Sequence, residues 1–446
     1  MSSDNVCATS RPRALVAVAI LLGAVITMCI PRAARAVEIL NGSGWTVDTR
    51  GFIAFDIDWD QHDLGAAEPL FPAPNDSAQA VNRALRFSAS QSQIGFLVLP
   101  PQEDGITTDA YLEIDFLKGL LAPPQDEHLS NATPRLRLAF ARFHWNGGSD
   151  TLLVGQAYSL FGDLWPSITF DNLSLLMGTV IGREPQVQYS HVSTLQSGSA
   201  ITYAVSVNAP NSGLFDQATN TAETSGVPFV HAKIAFTSDA LGRADYFGFE
   251  SHEPIPAQIA ISSFTGREKI QKTAGGDQDV NAWGVALNGV LPIIGIRNGV
   301  RAGATSIDGQ IWLGQHVGSY FGASGQNVYE TQNGHVGAIR ASGGFIEGKY
   351  FLTANLNLTA SYSVDKNNTD DLVRAGIPFR IASGIFSTTT FGTPGVNRAQ
   401  DVDLALWYHP GVHAFFGLVW DSRKATYNSG ENGSNNRVNL SMFYNF

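Results

Sequence analysis

The last ten residues, Arg437 to Phe446, constrain the fold more than any other segment. Apolar Val438, Leu440, Met442, Tyr444 and Phe446 alternate there with polar Asn439, Ser441 and Asn445. Successive side chains of a strand point to opposite faces, so the pattern makes one greasy face and one mostly polar face, with an aromatic ring at the carboxyl end. In a transmembrane barrel, lipid covers the first face and lumen water the second. The last strand of a soluble sandwich can alternate in the same way, and the rest of the chain decides between the two.

At the other end, Arg11 and Arg13 precede an apolar run from Ala14 to Ile30, and Ala34-Arg35-Ala36 supplies small residues where a signal peptidase reads. This predicts a secretory signal over 1–36, cleaved after Ala36. The run is shorter than the roughly 20 residues of a spanning helix. Met28 stands where a lipid attachment site at Cys29 requires a small residue. Both cysteines, Cys7 and Cys29, fall inside the signal, so the mature chain is expected to have no disulfide or thiol chemistry. Cleavage would leave 24 basic against 38 acidic residues, moving the formal charge from −11 to −14. So acidic a chain excludes nucleic acid as a partner.

After the signal there is no linker, charge block or composition shift. A short lead-in, 37–48, and one outer-membrane barrel domain, 49–446, account for the remainder. Along the chain, Ile53, Phe55, Ile57 and Trp59 share one strand face and Asp56, Asp58 and Asp60 the other. Ala110, Leu112, Ile114 and Phe116 oppose Asp109, Tyr111, Glu113 and Asp115. Leu356, Leu358, Ala360 and Tyr362 oppose Asn355, Asn357, Thr359, Ser361 and Ser363. Val402, Leu404, Leu406 and Tyr408 face away from Asp401, Asp403 and His409. Short and long connections take turns: His409-Pro410-Gly411 is brief, whereas 209–226 is long and polar. That asymmetry belongs to outer-membrane barrels more than to sandwiches. Trp59, Trp145, Tyr203, Tyr408, Trp420 and Tyr444 are candidates for interfacial girdles. The expected fold is all-β: an antiparallel up-and-down transmembrane β-barrel of about 16 strands, a size that leaves an aqueous channel.

Enzyme chemistry is missing at the level of motifs. There is no G-x-S-x-G elbow, HExxH helix, Walker loop or dinucleotide glycine fingerprint. Asp56, Asp58 and Asp60 begin like a calcium loop, but Gln61 replaces its glycine and Ala67 its bidentate glutamate. The ten histidines lack ligand spacing. No cofactor and no metal are expected. The alternative is a barrel acting at the surface, either an enzyme of phospholipase or protease type or a plugged binding or structural protein.

The segment from Leu152 to Tyr189 is the most individual part of the chain. A strand through Gly155-Gln156-Ala157-Tyr158 runs into Ser159-Leu160-Phe161-Gly162-Asp163-Leu164-Trp165-Pro166, and a new strand begins near Arg183-Glu184-Pro185-Gln186-Val187-Gln188-Tyr189. Too apolar for a free surface loop, the intervening stretch is expected to fold into the lumen as a constriction loop. These residues resemble the DcaP-like trimeric porins of proteobacterial outer membranes. Gly155, Gln156, Ala157, Tyr158, Ser159, Phe161 and Asp163 are similar to that family's G-Q-T-W-S-x-F-x-D, and Arg183 to Tyr189 to its R-Q-P-Q-I-R-Y. Gly51-Phe52-Ile53 and Ser92-Gln93-Ile94-Gly95-Phe96 also resemble its early strands. The resemblance implies a homotrimer, set in outer-membrane lipid and lipopolysaccharide, that admits small polar or anionic solutes such as dicarboxylates and aromatic acids. Two departures matter: Gln93 and Gln188 stand where the family often has arginine, and 37–48 is too short for its coiled-coil stalk, which is not expected here.

Charges at the narrowest point set selectivity, because a low-dielectric wall focuses their field on a passing ion. Arg86, opposite in parity to Leu85 and Phe87, is expected in the lumen. Arg137, Arg142 and Arg183, with Asp163, complete the candidate set, and Lys233 is a further basic candidate. Basic residues on one wall would then face Asp56, Asp58, Asp109, Glu113, Asp115 and Asp163 on the other. Arg142 shares its parity with Leu138 and Phe140, so it is expected inside only if a bulge near Ala141 shifts the register.

Overall fold

Sixteen antiparallel strands close on themselves in a computed structural model of the chain. The structure describes residues 37–42, 44–62, 71–75, 82–101, 105–118, 133–162, 164, 177–195, 198–209, 225–245, 254–384, 388–411 and 413–446. The expected signal, 1–36, lies outside these residues. The wall begins with Trp45–Asp60 and ends with Asn432–Asn445. Those two strands close it, pairing from Phe52↔Asn445 to Asp60↔Arg437. One wall position is shared by two short strands, Ala84–Ser88 and Gln93–Leu99, which pair with the two halves of Trp45–Asp60. At the break between them the Ala54 N–H donates to Ser92 Oγ (3.0 Å), so a side chain takes over where the ladder lapses. Val37–Gly42 folds back on Trp45–Thr49 as a hairpin.

The alternation read from sequence is the side-chain plan of this wall. Ile53, Leu85, Phe87, Val187, Ile234, Ile261, Ile311, Ile346 and Leu404 point outward and are exposed. Asp56, Asp58, Asp60, Asp115, Asp401, Asp421, Asn439 and Ser441 point inward and are buried. A soluble sheet has the reverse arrangement, so the apolar outer surface requires lipid. Connections at one end, 100–106, 146–149, 195–198, 352–355 and 409–413 among them, are short. Those at the other include 61–83, 119–132, 159–182, 209–228, 316–339 and 368–395.

Two of the long connections enter the barrel, and a third sends a strand in. The described ends of 159–182 are pinned across the lumen: Gly162 N–H donates to Ser262 Oγ (3.1 Å), Val180 N–H to Gln310 Oε1 (2.7 Å) and Trp312 Nε1–H to the Gly178 carbonyl (2.8 Å). Gly162 is in the left-handed region at φ 64, and a Cβ there would sit 2.0 Å from the Val180 carbonyl oxygen. The expectation of one inward loop therefore holds but is incomplete. Segment 316–339 also folds inside, its strands Gln326–Thr331 and Val336–Ala338 joining Phe379–Gly384 in a small sheet. That sheet packs Val328 and Val336 on the inward-facing Ile270 and Val280. Tyr320 links the two inward loops: it is fully buried, its ring meets Phe161 (5.2 Å) and Phe264 (4.7 Å), and its carbonyl accepts from Ile181 N–H (3.0 Å).

Candidate pore constriction

Strand Thr133–Trp145 carries the arginines, and a bulge decides where they point. Opposite Glu113 and Ile114 the register jumps from Leu138 to Leu136, leaving Arg137 as the extra residue. The bulge lies at Arg137 and not near Ala141 as expected. Its effect is to bring both parities inside: Arg135 and Arg137 before it, then Leu138, Phe140 and Arg142 after it. Leu138 and Phe140 are consequently buried in an inward cluster with Leu153 and Ala157, instead of facing lipid.

Above Ala139↔Gln156 the backbone pairing between Thr133–Trp145 and Asp150–Tyr158 stops. The Gln156 side-chain amide fills the gap, donating to the Leu136 (3.2 Å) and Arg137 (3.0 Å) carbonyls. Gly155 permits this turn of the chain at φ 134, where a Cβ would meet the Ala139 carbonyl oxygen at 2.2 Å. Tyr158 thereby reaches Arg137. The Arg137 guanidinium, 4% exposed, donates to Glu113 Oε1 (2.6 Å), Asp115 Oδ2 (2.8 Å) and Tyr158 Oη (3.0 Å). Arg135 grips Asp115 with two hydrogen bonds of 2.9 and 2.6 Å.

Arg183 stands directly across from Tyr158 at the foot of the inward loop. Its guanidinium carbon lies 6.0 Å from the centre of the Tyr158 ring. Although its parity matches the outward Val187, it is 8% exposed. Among the described residues it has no ion pair, and its Nη1 has no hydrogen-bond partner. Among the described residues three guanidiniums thus meet two carboxylates here, and Arg183 is the one without an ion pair.

A second charged network lines the closing strands. Arg86 donates to Asp60 Oδ2 (2.7 Å), as its parity predicted it would face inward. Arg437, fully buried, lies 2.9 Å from Asp60 and 3.8 Å from Asp58. Asp401, Asp403 and Asp421 bring one oxygen each within 4.8 Å of one another, and Arg423 stands among them, 2.6 Å from Asp421 and 3.5 Å from Asp401. Arg142 is remote from both networks, near the 146–149 turn, paired with Asp109 (2.9 Å) beside His144. Lys233 shares the inward parity of His231 and is half-buried. Asp163 lies outside the described residues.

The expected division into a basic wall and an acidic wall is not what forms. Arg137, Arg142 and Arg86 each pair with carboxylates of an adjacent strand, because cross-strand neighbours are the partners within reach. Sequence reasoning passed over Arg135, Arg423 and Arg437. Their parity with Arg137, Asp421 and Asn439 was the available signal.

No protein-family model and no curated protein sequence matches this chain. Solved structures do. The outer-membrane channel DcaP of Acinetobacter baumannii superposes with a TM-score of 0.66 at 18% identity, over 92% of this chain and 100% of its own. OmpF of Salmonella typhi, solved with daunomycin, gives 0.54 at 12% identity, over 92% and 100%. An anion-selective porin from Comamonas acidovorans gives 0.50 at 10%, over 90% and 100%. At such identities the likeness speaks for the fold. The chain is a closed sixteen-stranded barrel of the outer-membrane porin fold, shared with the DcaP channel along that channel's whole length.

Proposed function

We propose that this chain is a DcaP-like porin: a homotrimeric, non-enzymatic channel, exported through a cleaved signal at 1–36 and seated in the outer membrane as a single barrel domain whose wall begins at Trp45, a few residues before the expected boundary at 49. It lets small polar solutes diffuse passively, with a preference for organic anions such as dicarboxylates or aromatic acids. The observation that carries the anion preference is Arg183, buried beside Arg135 and Arg137 at the foot of the inward loop with Nη1 uncommitted. Nη1 is sealed from water as well as unpaired, so Arg183 acts on a passing carboxylate chiefly through its field, which a low-dielectric wall concentrates. The solute exchanges part of its water shell for weak polar contacts at the constriction and, the contacts being few, leaves again. Arg86, Arg137, Arg142 and Asp163 remain in the proposed pore-lining set, with Arg142 acting at the rim. The test is the reversal potential across a planar bilayer under a KCl gradient. Anion preference that falls on Arg183→Ala supports the reading, and cation preference in the wild type overturns it.

One observation favours a second reading. The small sheet of Gln326–Thr331, Val336–Ala338 and Phe379–Gly384 occupies part of the lumen, as a plugged surface-acting or structural barrel would require. Folded protein that carries no current at all would favour it.

A further inference from the structure

We infer that Tyr158 is the positioning residue that decides which arginine of the constriction is offered to a solute. The inference rests on the anion-reading role given above to Arg183. Tyr158 touches both candidates in different ways. Its hydroxyl oxygen accepts the Arg137 Nη2–H at 3.0 Å, and with Glu113 and Asp115 holding Nε and Nη1, each of the three guanidinium nitrogens of Arg137 has a partner. Its ring lies under the Arg183 guanidinium at 6.0 Å, the range of a cation–π contact. The first contact withdraws Arg137 from the solute. The second keeps Arg183 from swinging onto the carboxylates that Arg135 and Arg137 already share.

Both contacts depend on the local fold. Tyr158 ends its strand directly opposite Arg183, and the lapse of backbone pairing above Ala139↔Gln156 opens the space through which it reaches Arg137. The backbone of Tyr158 is itself fixed, its carbonyl accepting from Gln186 Nε2 at 2.8 Å. A merely structural tyrosine would need one of these contacts, whereas the arrangement uses ring and hydroxyl for opposite ends.

That division makes two substitutions act in opposite directions. In Tyr158→Phe the ring stays under Arg183 while Arg137 Nη2–H loses the Tyr158 hydroxyl as acceptor and can turn toward an anion. The anion-to-cation permeability ratio should rise. In Tyr158→Leu the ring is gone and Arg183 is released toward Asp115. The ratio should fall by about two- to five-fold, the factor corresponding to loss of a cation–π contact at the weak end of its range, as a separation of 6.0 Å implies. Both are measured as reversal potentials in planar bilayers on protein whose β-sheet circular dichroism matches the wild type. Shifts of opposite sign support the inference. Shifts of the same sign, or none, overturn it while leaving the Arg183 reading intact, because that reading stands or falls on the wild type and Arg183→Ala alone. Should Tyr158→Leu not fold, Tyr158→Trp, which keeps a ring face but no phenol, is expected to behave as Tyr158→Phe does, and a fall in the ratio there overturns the inference.

Discussion

Arg437 shows what a charge costs inside this wall. It is fully buried, and Asp58 and Asp60 beside it are buried as well. Removing one member of such a group leaves the others desolvated without compensation, a loss of about 3–5 kcal/mol. Arg142 is the natural control, since its pair with Asp109 is partly exposed at the rim and an ion pair of that kind is worth only about 0–1 kcal/mol. Arg437→Leu should therefore lower the urea midpoint of the barrel folded in lipid vesicles far more than Arg142→Leu. Equal midpoints would mean that water reaches Arg437 freely. Both residues were within reach of sequence reading to different degrees. Arg437 alternates with Val438 and belongs inside on parity alone, whereas the inward turn of Arg142 depends on a bulge that no glycine or proline announces. Arg183 departs further: parity assigns it outward, and only its place at the foot of an inward loop buries it.

Between strands, the constriction is built by elements that the chain encodes unevenly. The wall strands were legible because each repeats the alternation, so an error in one is corrected by its neighbours. The loop 159–182 was legible because Phe161 and Leu164 are too apolar for a surface, and both are buried. Segment 316–339 and the strand Phe379–Gly384 carry no comparable signal, because what turns them inward is pairing with each other, which has no local signature. Their sheet carries its own acid sensitivity. Burial raises the Glu330 carboxyl, but hydrogen bonds from Arg380 (2.7 Å) and Thr273 outweigh it and hold the group below the ordinary glutamate range. A carboxyl depressed in the folded state contributes stability above its unfolded pKa and loses it as pH falls through the folded value. The sheet should thus be fully held above about pH 5 and loosen progressively below the ordinary glutamate range, near 4.3. Relative to the intrinsic exchange rate at each pH, the protection of amides at Gln326–Thr331 should fall on acidification in the wild type, and in Glu330→Gln should already be low at neutral pH. Protection that ignores both the acid and the substitution would show that the Arg380 pair does not hold this sheet.

At the scale of the whole molecule, one inversion accounts for most of what the sequence disclosed. Polar side chains dominate the inner face of the wall and apolar ones the outer, so lipid covers most of what a soluble core would bury, and the apolar clusters inside gather where the inward loops pack. The consequence can be measured on a single strand, Thr305–Gln315, where Ile311 points outward at 63% exposure while Gln310 beside it is buried and hydrogen-bonded to the inward loop. In water an exposed isoleucine is replaced by arginine at almost no cost. Facing lipid near the middle of a strand, the same change should cost about 2–4 kcal/mol, falling to about 0–1 near the interface. Val300, equally exposed but in the 295–304 connection at the short-turn end, supplies the comparison. Unfolding in lipid vesicles should find Ile311→Arg strongly destabilised and Val300→Arg close to wild type. If Ile311→Arg were as mild as Val300→Arg, the outer face at that height would not be meeting hydrocarbon. The strand would then lie against another protomer or in water, and the contacts of the proposed trimer would be sought there first.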